Sequence, residues 1–446
     1  MTFTKHQSGI TMRDIPQDIY NEIFQSQLLD CDGLKTCSLV CRAWLSATRS
    51  LLFRAIRLWD EQAFRDFKAV ITHAADMRSN IAYSVRKVTL SDLRLNLDNL
   101  PRDAVASSLV VRQLLSLLPS LRTLQLERIE WSHATDPGLP VYFVNMPITC
   151  LQFSQTCLPS PGHLLRLAAS LPCLSILSMS FIGWDNLDLD YSDLSANHGT
   201  PHTIQLQSLK VDNCFNARGF LRGLLSPPFD LRLTNLEWAQ CDMSDEASPG
   251  DQVQHELDDA PVLCSLLQAC STTLAELRLS TYLEDEFLKF VSVTTNTPVK
   301  IMVLSAFRPP DILPYDTYSN SLPLFLKANA PALSCLHELE IRLGIFDRYA
   351  MCWGMDWEDV DSGLATLRAS CPALTATLRI TFVSHAGYSD PLELQSLAEI
   401  VEGTTHEMHE YLLPSSLNAG LPVRLIARLY QPHETEADAE EQECWL

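Results

Sequence analysis

The sequence predicts an α/β protein, a short helical amino-terminal segment followed by a long, irregular repeat of helix, turn and strand. Three observations carry this expectation. A kernel of the form Leu-x-x-Leu-x-Leu recurs about ten times, apolar residues at helical spacing precede many of the kernels, and the charge balance changes near residue 60. The 446 residues are 46% hydrophobic and 20% charged, enough apolar chain to bury a large core without disulfide staples, which excludes global disorder.

The first segment, residues 12–59, reads as three short helices. Asp14 caps a helix that carries Pro16 in its first turn, and Ile15, Ile19, Ile23 and Phe24 form one apolar stripe ending near Gln27. The stretch from Asp30 to Gly33 is expected to break the chain, Leu34 to Val40 to form a second helix, and Arg42 to Leu52 a third. Ile15, Leu39, Val40 and Trp44 are more apolar surface than so small a bundle can cover, so a partner is expected there. A linking helix over 60–80 follows.

From 81 to 430 the chain is read as stacked repeats. The segments ending at Trp131 and Trp184 match at one offset through Pro119/Pro172, Leu121/Leu174, Leu124/Leu177, Leu126/Met179 and Ile129/Ile182. The kernel returns at Val85/Val88/Leu90, Ile148/Leu151/Phe153, Leu206/Leu209/Val211, Leu233/Leu236/Trp238, Leu274/Leu277/Leu279, Val299/Met302/Leu304, Leu336/Leu339/Ile341 and, least regularly, Leu374/Leu378/Ile380. Its last two apolar residues alternate at period two and build a short strand with one buried face. Upstream, Leu114, Leu115, Leu117 and Leu118, then Leu164, Leu165, Leu167 and Leu171, then Leu263, Leu266 and Leu267 keep helical spacing. Pro119, Pro172 and Pro331 stop such helices. One helix and one strand cannot bury both apolar faces alone, so neighbouring units must stack into a solenoid, with parallel strands on the concave side and helices on the convex side.

Charge excludes several functions. Lys and Arg number 33 against 54 Asp and Glu, a formal charge of -21, and the basic footprint of a protein that tracks phosphate backbones is missing, so no nucleic acid is expected. Residues 1–60 hold seven basic and six acidic side chains, which leaves about -22 on the rest and favours a target with a basic segment. No stretch reaches the roughly 18 apolar residues of a bilayer span, so no membrane partner is expected. The opening residues lack the apolar core of a secretory signal, and the 14 cysteines are too dilute for a disulfide framework. A cytoplasmic or nuclear protein with free thiols is expected. Residues 431–446 are read as a disordered acidic tail, because six carboxylates and no Lys or Arg follow His433.

Two resemblances follow from these residues. The repeats are similar to leucine-rich repeats, whose kernel continues with an interior Asn or Cys; Cys214 stands three beyond Val211 and Cys241 three beyond Trp238, as in the cysteine-containing subclass. Ile129, Ile182 and Tyr282 depart from that pattern. The first segment resembles an F-box: IPQDIYNEIF corresponds to its opening, and LKTCSLVCRAW to its Leu-x-x-x-Ser-Leu-Val-Cys-Arg-x-Trp signature. The resemblance implies a substrate-recognition subunit of a cullin-RING ubiquitin ligase. Ile15, Pro16, Ile19, Ile23, Leu39, Val40, Cys41 and Trp44 would dock on the Skp-type adaptor, and through it on the ligase, while the repeats hold a target protein. The alternative is a non-degradative repeat scaffold that binds the adaptor only.

No catalytic constellation, cofactor or metal site is expected. Gly-rich phosphate loops, nucleophile elbows and zincin motifs are absent from the sequence. His406, Glu407, His409 and Glu410 lack the spacing of a His-Glu-x-x-His zinc site and read as a solvated helix face. Cys37 and Cys41 have no nearby ligands to complete a tetrahedron. Trp131 and Trp184 fall at equivalent positions of two units and read as packing between them. Target-binding candidates are outward residues of the kernels, Gln125, Ser178, Lys210, Glu237, Arg278 and Glu340, together with Trp353 and Trp357 in a loop from Ala350 to Gly363 that interrupts the repeat.

Overall fold

The computed structural model describes residues 31–40, 42–76, 81–92, 94–95, 113–131, 146–184, 203–214, 217–239, 249–282, 287–294, 297–307, 321–345, 356–383, 397–430 and 440–446. The chain divides into two units, Met1–Cys157 with Ser170–Leu174, and Leu158–Ala169 with Ser175–Leu446. Both are α/β, with strands that pair mostly in parallel and in sequence order.

In the first unit α1 (Cys31–Ser38) and α2 (Arg42–Leu52) pack together and lead into β1 (Ala55–Leu58). Helix α1 begins at Cys31, so Asp32 and Gly33 lie inside it and the expected break does not occur there. Asp32 in the first turn is held by Lys35 one turn on, at 2.8 Å, and its charge favours the helix start. The expected first helix and its residues Ile15, Pro16, Ile19 and Ile23, like Cys41, lie outside the described residues. Helix α3 (Glu61–Asp76) lies within residues 60–80. The Asp60 carboxylate accepts from the Ala63 backbone N–H at its start, and Phe64, Phe67, Ile71 and Ala74 form its buried stripe. After the turn of helix α4 (Ile81–Ser84) come β2 (Lys87–Ser91), the short β3 (Arg94–Leu95), β4 (Thr123–Glu127), the short β5 (Glu130–Trp131) and β6 (Cys150–Leu158).

Strands β1, β2, β4 and β6 are parallel neighbours with Leu58 against Leu90, Leu90 against Leu126, and Leu126 against Phe153, all buried. The sheet therefore begins at Ala55 and not near residue 81. Ile56 and Leu58 repeat the period-two kernel inside the segment read as purely helical.

In the second unit the elements are α5 (Pro161–Ala169), β7 (Ile176–Trp184), β8 (Ile204–Asp212), α6 (Arg218–Leu224), β9 (Phe229–Ala239), α7 (Pro249–Ala269), β10 (Glu276–Tyr282), α8 (Phe287–Phe290), β11 (Ile301–Phe307), α9 (Ser321–Asn329), β12 (Glu338–Ile345), α10 (Trp357–Ser370), β13 (Thr375–Val383), α11 (Leu397–Glu407), α12 (Pro414–Asn418), β14 (Val423–Tyr430) and β15 (Glu440–Trp445). Successive helices from α5 to α10 pack on one another in sequence order, as successive strands do. Pro172 lies in the turn after α5, and Pro331 lies in the 3-10 turn that ends α9.

Register refines two expectations. Leu339 pairs with Ala376 and Ile341 with Leu378, so the inward pair of β13 is Ala376 and Leu378, and Leu374 stands one position late for the kernel. Val423 and Leu425 continue the same columns as a further strand. The acidic tail is also corrected: residues 440–445 form β15, antiparallel to β14, with Glu443 opposite Ile426 and Glu441 opposite Arg428. Arg424 pairs with Glu443, and the ladder occupies an edge of β14 that would otherwise carry unpaired backbone groups.

A backbone device recurs where the strands end. Asp92, Arg128 and Gln155 in the first unit, and Phe181 and Asn213 in the second, all have positive φ and all stand two residues past the last apolar residue of their kernel. The left-handed turn lets Asp92 N–H reach Glu127 O at 3.0 Å, Arg128 N–H reach Ser154 O at 2.9 Å and Asn213 N–H reach Ala239 O at 3.1 Å. The next residue is thereby turned inward. Ile129, Thr156, Ile182 and Cys214 are all buried, at the position where the resemblance expects Asn or Cys. Thr156 Oγ1 accepts from the Ile129 N–H at 3.4 Å and donates to Ser154 O at 2.9 Å, a hydroxyl doing there what an amide side chain would do.

Candidate interaction surface

Alternation along each strand puts every second side chain outward, and parallel pairing in register aligns those side chains into rows. In the second unit one row runs Ser178, Lys210, Glu237, Arg278, Val303, Glu340, Thr377 and Arg424. Five sequence candidates, Ser178, Lys210, Glu237, Arg278 and Glu340, thus share a single row. In the first unit the equivalent row is Arg57, Thr89, Gln125 and Gln152, which includes Gln125.

The charges of these rows are largely engaged with one another. Lys210 Nζ donates to Glu237 at 2.6 Å and lies 3.6 Å from Asp212. Burial alone would lower its pKa, but the hydrogen bond and charge of Glu237, with Asp212, raise it. Arg278 Nε donates to Glu276 at 2.6 Å on its own strand. Glu340 accepts from Arg342 at 2.9 Å and from Arg379 of the next strand at 3.0 Å; burial disfavours its charge, and the two guanidinium groups outweigh burial and hold its pKa below the usual value.

The first unit repeats the theme. Arg57 makes a bidentate contact with Glu127 at 2.9 Å, and Arg128 holds Asp92 at 2.6 and 2.8 Å. The Arg128 hydrogen bond lowers the Asp92 pKa. In each unit the charged outward side chains are thus mostly held in ion pairs, with Ser178 in the second row and Gln125 in the first as uncharged polar positions.

The other candidates fall elsewhere. Trp357 begins α10 and is 5% exposed, so it is a core residue and not part of an exposed loop. Asp356 caps that helix by accepting from the Asp359 N–H at 3.0 Å. Trp353 lies outside the described residues. Trp184 is buried and stacks on Phe220 of the following helix with ring centroids 6.4 Å apart, and Trp238 stacks on Phe287 in the same manner. His406, His409 and Glu410 are exposed around a π-helical turn at Met408–Leu412.

Sequence reasoning missed Arg342 and Arg379, which stand one alternation past the kernels of β12 and β13. Strand lengths of 8 and 9 residues, longer than the kernel, were the signal that could have found them. Burial pushes the Cys270 thiol up to about 12 and also raises Cys150 and Cys371.

At the amino-terminal end, α1 closes with Leu39 and Val40 in a turn. Their N–H groups donate to Thr36 O and Cys37 O, and their side chains are 85% and 55% exposed. Trp44 follows on α2, half-buried, and Cys37 is half-buried on α1. No protein-family model matches the chain, and no curated protein matches it.

Proposed function

We propose that this chain is the substrate receptor of a cullin-RING ubiquitin ligase, with an F-box in residues 12–59 docking on the Skp-type adaptor and leucine-rich-repeat-like units holding the target. The observation that carries the reading is the adjacent pair Leu39 and Val40, large apolar side chains left in water at the centre of the LKTCSLVCRAW stretch. Water-exposed apolar side chains in an interaction motif are what a partner would cover. The parallel strands with self-paired outward rows support the second half, because such a face offers a firm, nearly neutral platform on which a few hot-spot contacts can dominate. The ligase's chemistry would reside in the partner complex. This chain would contribute proximity, holding a target lysine where the encounter is effectively intramolecular.

The test is affinity purification from cells with and without proteasome inhibition, comparing the natural chain with a Leu39→Asp/Val40→Asp variant. The adaptor should copurify with the first and not the second, and bound target should accumulate only when the proteasome is blocked. Adaptor capture without any proteasome-dependent partner would instead favour the scaffold reading.

A further inference from the structure

The first unit has a hollow of about 990 Å³ lined by the end of α2, the turn of α4 and the start of β1, β2 and β4. In a chain of net charge -21 its lining holds Arg54, Arg86, Lys87 and Arg122 and, among the described residues, no carboxylate. The three arginines are in register. Arg54 O accepts from the Arg86 and Lys87 N–H groups at 2.8 and 3.0 Å, Arg86 O from Arg122 and Thr123 at 2.8 and 2.9 Å, and Arg122 O from Thr149 and Cys150 at 2.8 and 3.0 Å. Each arginine therefore precedes its strand at the same position of three successive units, and their backbones step by one strand spacing of about 4.8 Å. The fourth unit has Thr149 at this position, so the column of cations ends where the hollow ends.

Two of the guanidinium groups are oriented without being neutralised. Arg86 donates to Ser120 O at 3.4 Å and Arg122 to Pro147 O at 2.9 Å, which leaves further N–H donors of each fork without a partner among the described residues. None of Arg54, Arg86, Lys87 and Arg122 pairs with a carboxylate among the described residues. This contrasts with Arg57, Arg128, Lys210 and Arg379, which are all paired. Tyr83, 62% exposed at the rim, and Thr123 add hydroxyl donors.

We propose that this hollow binds a small polyphosphorylated anion whose phosphoryl groups lie along the Arg54, Arg86 and Arg122 column. A linear row of forked donors matches several adjacent phosphoryl groups better than it matches one carboxylate. The volume is that of a small-molecule site. Lys87, half-buried beside the column, supplies a further positive charge. The site goes beyond target recognition and does not depend on that reading.

Titration calorimetry of the full chain with inorganic tripolyphosphate tests it. One saturable site is expected, weakened about tenfold by Arg86→Gln or by Arg122→Gln, about 1.4 kcal/mol for each tenfold loss, and weakened further by raised salt. The exposed Arg222→Gln, which changes net charge equally on α6, should leave binding unchanged. Should a glutamine variant unfold, Arg122→Lys keeps the charge and loses the fork, and partial weakening is expected. Absence of saturable binding, or equal loss in Arg222→Gln, would overturn the proposal. So would binding of a phosphoserine peptide under conditions where tripolyphosphate does not bind.

Discussion

Asn329 closes α9 with its side chain buried to 1% exposure and three hydrogen bonds made. Its Oδ1 accepts from the Val293 N–H at 2.6 Å, and its Nδ2 donates to Val291 O at 3.2 Å and Phe325 O at 2.9 Å. The amide thus fastens the buried segment after α8 to the end of α9. Asn329→Ala removes all three bonds and leaves the Val293 donor and the Val291 acceptor without their partner in a buried site. At about 1 to 3 kcal/mol for each orphaned group, the loss should be about 2 to 6 kcal/mol. Asn329→Asp keeps the oxygen that Val293 needs but turns an oxygen toward two carbonyls, so it should not rescue. Urea unfolding followed by tryptophan fluorescence and far-ultraviolet circular dichroism measures both variants. An alanine cost below about 1 kcal/mol, or an aspartate variant as stable as the natural chain, would refute the view that this amide fastens the two segments.

Three further outcomes are expected. Leu177→Ala, at a fully buried strand position, should cost about 2 to 5 kcal/mol, whereas Ser178→Ala, its outward neighbour, should stay within about half a kcal/mol; equal losses would contradict the assigned faces. Because the folded-state pKa of Glu340 is depressed below 4.5, its contribution is present above that value and is lost as pH falls through the lower folded-state pKa; Glu340→Gln should flatten the acid limb of stability, and an unchanged limb would count against the Arg342 and Arg379 pairing. Deleting residues 440–446 should bare the β14 edge and promote self-association visible by sedimentation, while unchanged sedimentation would mean that β15 does not protect that edge.

The strands were legible because a period-two kernel with one buried face is a local signal, and Leu124, Leu177 and Leu277 are fully buried as the pattern requires. What escaped was non-local or small. Ala376 fills an inward position with too little apolar volume to stand out among leucines, and the nearby Leu374 mimics the kernel's start. The tail's carboxylates read as self-repelling, whereas β14 supplies Arg424 to pair with Glu443 and sets Arg428 opposite Glu441. Trp357 sits in a stretch whose aromatics and glycines look like a loop, although Asp356, three residues before Asp359, is a capping signal. Outward candidates were legible from alternation, but their mutual pairing was not, since Arg379 meets Glu340 across 39 residues of sequence.

The most direct test of the proposed function is a two-component titration of the purified chain with the purified Skp-type adaptor, beside the Leu39→Asp/Val40→Asp variant. Both substitutions fall on exposed side chains, so the variant should melt within about half a kcal/mol of the natural chain. Saturable binding at micromolar concentration or below, about -8 kcal/mol or better, that disappears in the variant is the predicted result. No binding by the natural chain, or equal binding by the variant, would contradict the assignment of this segment as the adaptor-docking site.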